Sequence, residues 1–196
     1  MGEEAPNVGN AVFIRGVRIA FAEGLREATQ YEGKGDFRYS CTFLIEKGSA
    51  NDKLVREELM KAALKVWKTP EKAKLNFDNL FGRTQSSCYY DGNLKSYDGF
   101  AGKMALAAIR PAKNGPPVIK DRDGKTDLPA ESGLPYSGAV VNGKLEFFAH
   151  SDYGGGLRCR LVGAQFVRHA DAFGGGGPAS GDGFTPEEDE SVESLM

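Results

Sequence analysis

Alternating apolar and polar side chains run through most of the chain and predict a mainly β protein. Residues 12–21 (VFIRGVRIAF) are rich in β-branched and aromatic side chains and predict a first strand. Residues 24–35 form a polar connection. In residues 36–46 (DFRYSCTFLIE), Phe37, Tyr39, Cys41, Phe43 and Ile45 share one face, while Arg38, Ser40 and Thr42 share the other. On that parity Phe37 and Tyr39 are expected in the core rather than against a ligand. Further strands are predicted over 86–90, 102–110, 136–150 and 156–168. Asn142-Gly143, taken alone, signals a hairpin turn between two apolar runs. Residues 111–135 carry five prolines and read as a long exposed loop.

One helix is expected, over 51–68. Val55, Leu59, Ala62, Ala63, Val66 and Trp67 recur at helical spacing, Ser49 or Asn51 can cap the start, and Asp52 suits the positive end of the dipole. Trp67 lies on the apolar stripe and reads as a packing residue. Pro70, just past the end, reads as a stop. Residues 76–100 look irregular and polar-aromatic, with a turn at Asp91-Gly92-Asn93.

Charge separates the chain into two parts. The 196 residues carry 25 Lys and Arg against 27 Asp and Glu, a net of -2. Six of the acids, Asp182, Glu187, Glu188, Asp189, Glu190 and Glu193, lie beyond Pro178, where no basic residue occurs. The remainder is therefore net positive, at +4. The glycine run 174–177 and the acidic stretch after it cannot bury enough apolar surface to offset the entropy of ordering, so disorder is expected there. The expected organisation is one domain over 1–173, with a glycine-rich linker and acidic tail over 174–196. A basic body tethered to its own polyanion points to an external polyanion, nucleic acid above all; a purely solubilising tail is the alternative. A tail of ~23 residues spans about 26 Å by the square-root rule, and a 173-residue domain has a radius of gyration near ~16 Å. The tail can thus reach much of its own domain.

The start of the chain shows no signal peptide, and no run approaches the ~18 apolar residues that span a bilayer. Three widely spaced cysteines, Cys41, Cys88 and Cys159, fit reduced thiols. A soluble protein of a cytoplasm is expected, with no membrane partner. Structural zinc needs about four converging ligands, and neither Cys nor His shows that spacing. Gly154-Gly155-Gly156 lacks the Lys-Ser/Thr of a phosphate loop and reads as a tight strand connection. Asp121, Asp123 and Asp127 lack the closing glutamate of a calcium loop. No catalytic, metal or cofactor site is expected, and the chain reads as non-enzymatic.

Binding single strands takes cations for phosphate and exposed rings for bases. This chain interleaves the two. Arg158 and Arg160 project from one face of a strand whose other face is Leu157, Cys159 and Leu161, and Phe148 shares the parity of Lys144 and His150. Phosphate contacts are expected from Arg38, Arg83, Lys95, Lys103, Arg110, Arg158 and Arg160, and stacking from Tyr89, Tyr90, Phe148 and Tyr153. No helix is basic enough to enter a major groove.

The stretches YSGAVVN (136–142), YGGGL (153–157), LVGAQFVR (161–168) and FGGG (173–176) closely resemble the single-stranded DNA-binding proteins of tailed phages, a family formerly filed as a domain of unknown function. Phe81-Gly82, DGNLK (91–95) and GFAG (99–102) resemble the family's middle segment. The resemblance implies an OB-fold-like β-barrel that coats single strands during phage replication or recombination. It also implies an acidic tail that moderates DNA binding and recruits phage or host replication proteins, and it is compatible with a homodimer. It further implies that the strand through Asn142 runs on, with a bulge in place of a turn. Relatives end their tails in an aromatic residue, whereas this chain ends Leu195-Met196. The residues alone leave two rivals open: a small enzyme of phage DNA metabolism, and a structural or scaffold protein with a solubilising tail.

Overall fold

A computed structural model describes residues 10–174. Strand β1 (Val12–Ala20) enters the sheet with an interrupted alternation: Ile14, Val17 and Ile19 are all buried. The interruption is a bulge, because Ile14 pairs with Gly143 but Val17 with Val141 of β7 (Val140–His150). Gly16 supplies the positive φ of 65° there, and its N–H donates to Asn142 Oδ1 at 2.9 Å. Strand β7 runs straight through Asn142-Gly143, as the family resemblance implies and the isolated dipeptide does not. Gly143 is needed for packing: a Cβ there would meet the Phe43 ring at 3.0 Å.

After β1 the chain makes a short turn over Ala22–Leu25, then a hairpin of β2 (Thr29–Tyr31) and β3 (Lys34–Glu46). Glu32 and Gly33, with φ of 49° and 70°, form its two-residue turn. Cys41, Phe43 and Ile45 of β3 enter the main core, each large buried side chain contributing roughly 1.5–3 kcal/mol. Helix α1 (Ala50–Trp67) follows with Ser49 as its cap, accepting from the Asp52 N–H at 3.2 Å. Its buried stripe is Val55, Leu59, Ala62 and Ala63; among the strands the helix lies chiefly over β7, and Trp67 is partly buried against the core.

The single helix and the barrel both need correction. A second helix, α2 (Pro70–Leu80), begins immediately after the first. Lys68 leaves α1 with φ 63°, Thr69 caps α2, and Pro70 occupies its first turn, where a missing N–H costs nothing. The proline therefore starts a helix as well as stopping one. Strands β4 (Tyr89–Asp91), β5 (Lys103–Pro111), β6 (Val118–Lys120) and β8 (Gly156–Arg168) complete an eight-stranded sheet with the path β2-β3-β1-β7-β8-β5-β4. Strand β3 also pairs with β5 from Arg38↔Pro111 to Glu46↔Lys103, which bends the sheet back on itself. The remaining seam, β5 to β8, holds a single parallel register pair, Ile109↔Arg160. No ladder zips it, so the architecture is OB-fold-like but not a closed barrel. The predicted loop 111–135 is not wholly irregular, since β6 pairs with residues 163–165 of β8.

Beneath the sheet the Asp52 carboxylate is nearly fully buried and accepts from Gly48 N–H (2.8 Å), the Tyr89 hydroxyl (2.7 Å) and Arg56 Nε (2.8 Å). Burial alone would raise its pKa; the three hydrogen bonds and the Arg56 charge outweigh that and hold it below the usual aspartate value. Burial first, then the bond to Asp52, pushes the Tyr89 phenol above its ordinary range. This network ties α1 to β4.

Candidate nucleic-acid interface

Strands β7 and β8 pair along their whole length, and their register sets the site. Phe148 lies opposite Arg158, and Glu146 opposite Arg160. All four point away from the core, because Leu145, Phe147, Leu157, Cys159 and Leu161 take the inward positions. The Arg160 guanidinium lies 5.6 Å from the Phe148 ring centroid and 3.6 Å from Glu146. Arg158 donates to the Gln85 carbonyl, which brings the turn containing exposed Arg83 against the start of β8. At the tip of the β7–β8 connection, Tyr153 is fully exposed with φ 51°.

Ile109, paired with Arg160, links this face to the outer face of β5, where Pro111 pairs with Arg38. The Arg38 guanidinium is 5.1 Å from the Tyr31 ring, which is 63% exposed. Cations and rings thus lie in a band along this outer surface from the β2–β3 hairpin to the β7–β8 tip, with Ser40 and Ile109 between the positions of Arg38 and Arg160. On the far side of β7, Phe13 is paired with Lys144 and carries both Lys144 and Arg15 within cation–π distance. The Arg160–Glu146 pair is half-buried and, at 3.6 Å, loosely made.

Five expected contacts, Arg38, Phe148, Tyr153, Arg158 and Arg160, share this band, with Arg83 at its margin. Others do not. Tyr89 is fully buried with its hydroxyl on Asp52, and Tyr90 packs under Phe100, Leu44 and Ala105, so neither ring offers a face for stacking. Strand β4 is covered on both sides, which a three-residue strand does not reveal by alternation. Lys103 is ion-paired with Glu46 at the opposite end of β5. Arg110 donates to the Asn114 and Gly115 carbonyls and holds the following loop. Lys95 is exposed on the chain after the Gly92–Leu94 turn, apart from the band. The tail residues Asp182, Glu187, Glu188, Asp189, Glu190 and Glu193 lie outside the described residues.

Two exposed rings, Phe37 and Tyr31, depart from what residue order predicts. Phe37 is 55% exposed: it lies past the last β3–β5 pair, Arg38↔Pro111, where the β2–β3 register also slips. Tyr31 lay unnoticed in the polar connection; the Glu32-Gly33 pair, short enough for a two-residue turn, was its one signal. The three cysteines are buried, with burial raising each thiol, Cys88 to about 12. Among the described residues no group of three His, Cys, Asp or Glu side chains is placed to hold a metal ion, and no helix is long and apolar enough to cross a membrane.

A curled, OB-fold-like sheet with cations and rings along one outer band has the build of an oligonucleotide-binding scaffold. The chain belongs to the family described as Enterobacter phage Enc34, ssDNA-binding protein, whose model matches residues 10–195. A protein designated p50, of Acyrthosiphon pisum secondary endosymbiont phage 1, is 36% identical over 188 residues, covering 93% of this chain and 97% of that protein. The single-stranded DNA-binding protein of bacteriophage Enc34, solved in complex with ssDNA, superposes with a TM-score of 0.67 at 16% identity, over 88% of this chain and 97% of that one. The single-stranded DNA-binding protein gp2.5 of bacteriophage T7 has a TM-score of 0.53 at 15% identity, over 93% of this chain and 100% of that one.

Proposed function

We propose that this protein binds single-stranded DNA without reading its sequence, as a non-catalytic coat in phage DNA replication or recombination. One observation carries the reading: on the outer face of β7 and β8, Phe148 stands across from Arg158 with the Arg160 guanidinium 5.6 Å from its ring, which sets a stacking group beside two phosphate partners. Such stacking is worth roughly 1–3 kcal/mol per base and accepts any base. Duplex DNA keeps its bases stacked and forfeits that contribution. Titrating equal-length single- and double-stranded oligonucleotides at two salt concentrations tests this; equal affinities would overturn it. Phe148→Ala is expected to weaken single-strand binding about tenfold, by the loss of about one stacked base, with the salt dependence unchanged. A steeper or flatter salt slope would place Phe148 outside the stacking role.

Domain and tail are proposed to oppose one another. The body over 1–173 is net positive, and the acidic stretch within 174–196 can return to it at an effective concentration of order millimolar. Deleting residues 178–196 is expected to tighten DNA binding by about tenfold at low salt and to erode discrimination against duplex, since ionic competition is screened over about 10 Å at 0.1 M salt. Dissociation constants left unchanged by the deletion would leave the tail a solubilising role only.

A further inference from the structure

A cleft of about 1040 Å³ opens on the side where the described chain ends. Its apolar wall is aromatic, formed by Phe21, Tyr97, Phe100, Tyr136 and Phe173. Phe21 and Tyr97 meet edge to face at 5.1 Å yet remain 39% and 51% exposed. Phe21 also holds a left-handed φ of 57°, a conformation that a residue with a Cβ seldom adopts. The ring is therefore kept at the surface against its own backbone preference.

The charge of this cleft is opposite to that of the DNA band. Glu23, Glu27 and Asp98 line it, and Arg26 is the single Lys or Arg among its lining residues. The Arg26 guanidinium is held in place by the Pro129 and Leu134 carbonyls, at 3.1 and 2.8 Å, and its single charge leaves the lining net negative. Gly174 lies at the lip with its N–H on Asp98 Oδ2 at 3.1 Å. The tail with its six acids therefore starts here.

We propose that this cleft docks a partner protein through a basic peptide segment: an aromatic or aliphatic anchor enters among Phe21, Tyr97 and Tyr136, and flanking lysines or arginines meet Glu27 and Asp98. Phosphate is disfavoured by the carboxylates, and the acidic tail is disfavoured for the same reason. A cationic partner gains from both the cleft and the tail tethered at its lip.

The test uses the full chain and a fluorescein-labelled probe peptide with one tryptophan between two pairs of lysines, read by anisotropy. The peptide should bind, and each of two variants, Tyr97→Ala and the double change Glu27→Lys with Asp98→Lys, should weaken it by about tenfold. The double change should leave thymidine-oligonucleotide affinity unchanged or higher. Neutralising the tail (Glu187→Gln, Glu188→Gln, Asp189→Asn, Glu190→Gln) should cost no more than about threefold. Three results overturn the proposal: no peptide binding, binding lost with the tail charges alone, or Tyr97→Ala weakening the oligonucleotide as much as the peptide. A failed cleft leaves the oligonucleotide titration untouched, so the two readings fail separately.

Discussion

Replacing both Arg158 and Arg160 by alanine is expected to weaken single-strand binding by one to two orders of magnitude at low salt and to flatten its salt dependence. The two guanidinium groups stand on one strand face, beside Phe148 and adjoining the outer face of β5. Each phosphate contact on a single strand contributes ~0.7 to the slope of log affinity against log salt, so losing both removes about 1.4. Neither arginine is needed to fill the core. Arg158 rests on backbone carbonyls and Arg160 on Glu146, both contacts of the kind that contribute little to stability. The double variant should therefore melt close to wild type while losing affinity. A salt slope as steep as wild type would remove these arginines from the phosphate path.

Asp52→Asn is expected to lower stability by about 3 kcal/mol at neutral pH, because hydrogen bonds to a charged group are worth roughly 1.5–3 kcal/mol each and a buried network is being broken. For a domain of this size that is a fall in Tm of roughly 6–12 °C. Asparagine keeps the shape but loses the charge facing Arg56, and its amide nitrogen is a poor match for the hydroxyl and N–H donors around it. The pH dependence has a defined sign. The folded-state pKa of Asp52 is depressed, so its contribution is complete above the unfolded value near ~3.9 and disappears as pH falls through the lower folded value. Denaturant melts should show wild type and variant diverging at neutral pH and converging in acid. A gap independent of pH would mean that shape, rather than charge, is what Asp52 supplies.

Much of this was readable from residue order because a long strand with one buried face writes its parity into the sequence. β3, β7 and β8 show this, and the outward placing of Phe148, Arg158 and Arg160 follows from the inward placing of Leu145, Leu157, Cys159 and Leu161; β1 is legible from its β-branched and aromatic content instead, its parity being broken by the bulge at Gly16. The same parity failed where the backbone broke its own period. Phe37 lies past the end of the β3–β5 ladder, beside the register slip of the β2–β3 hairpin, and that hairpin sits in a polar segment. Tyr89 and Tyr90 looked like binding rings because their neighbours are polar. The burial comes from distant chain: Asp52 on α1 for one, and Phe100, Leu44 and Ala105 for the other. Pro70 was read as an ending when its position just after Thr69 equally suits a beginning. The unzipped seam between β5 and β8 depends on the twist of all the strands together, and no local pattern encodes it.

That seam has a mechanical consequence. Ile109 and Arg160 form the one direct register pair between β5 and β8, and the 86–88 segment spans the same two strands nearer the start of β8, bonded to Leu157 on one side and Ala107 on the other. Each half is braced by its own long ladder, β3 with β5 and β7 with β8, while away from the 86–88 bridge only that one pair joins them. A rigid cylinder would impose one spacing between successive grips. Under the proposed function, a junction joined at so few points is expected to let purines and pyrimidines of different girth pass over the same few side chains.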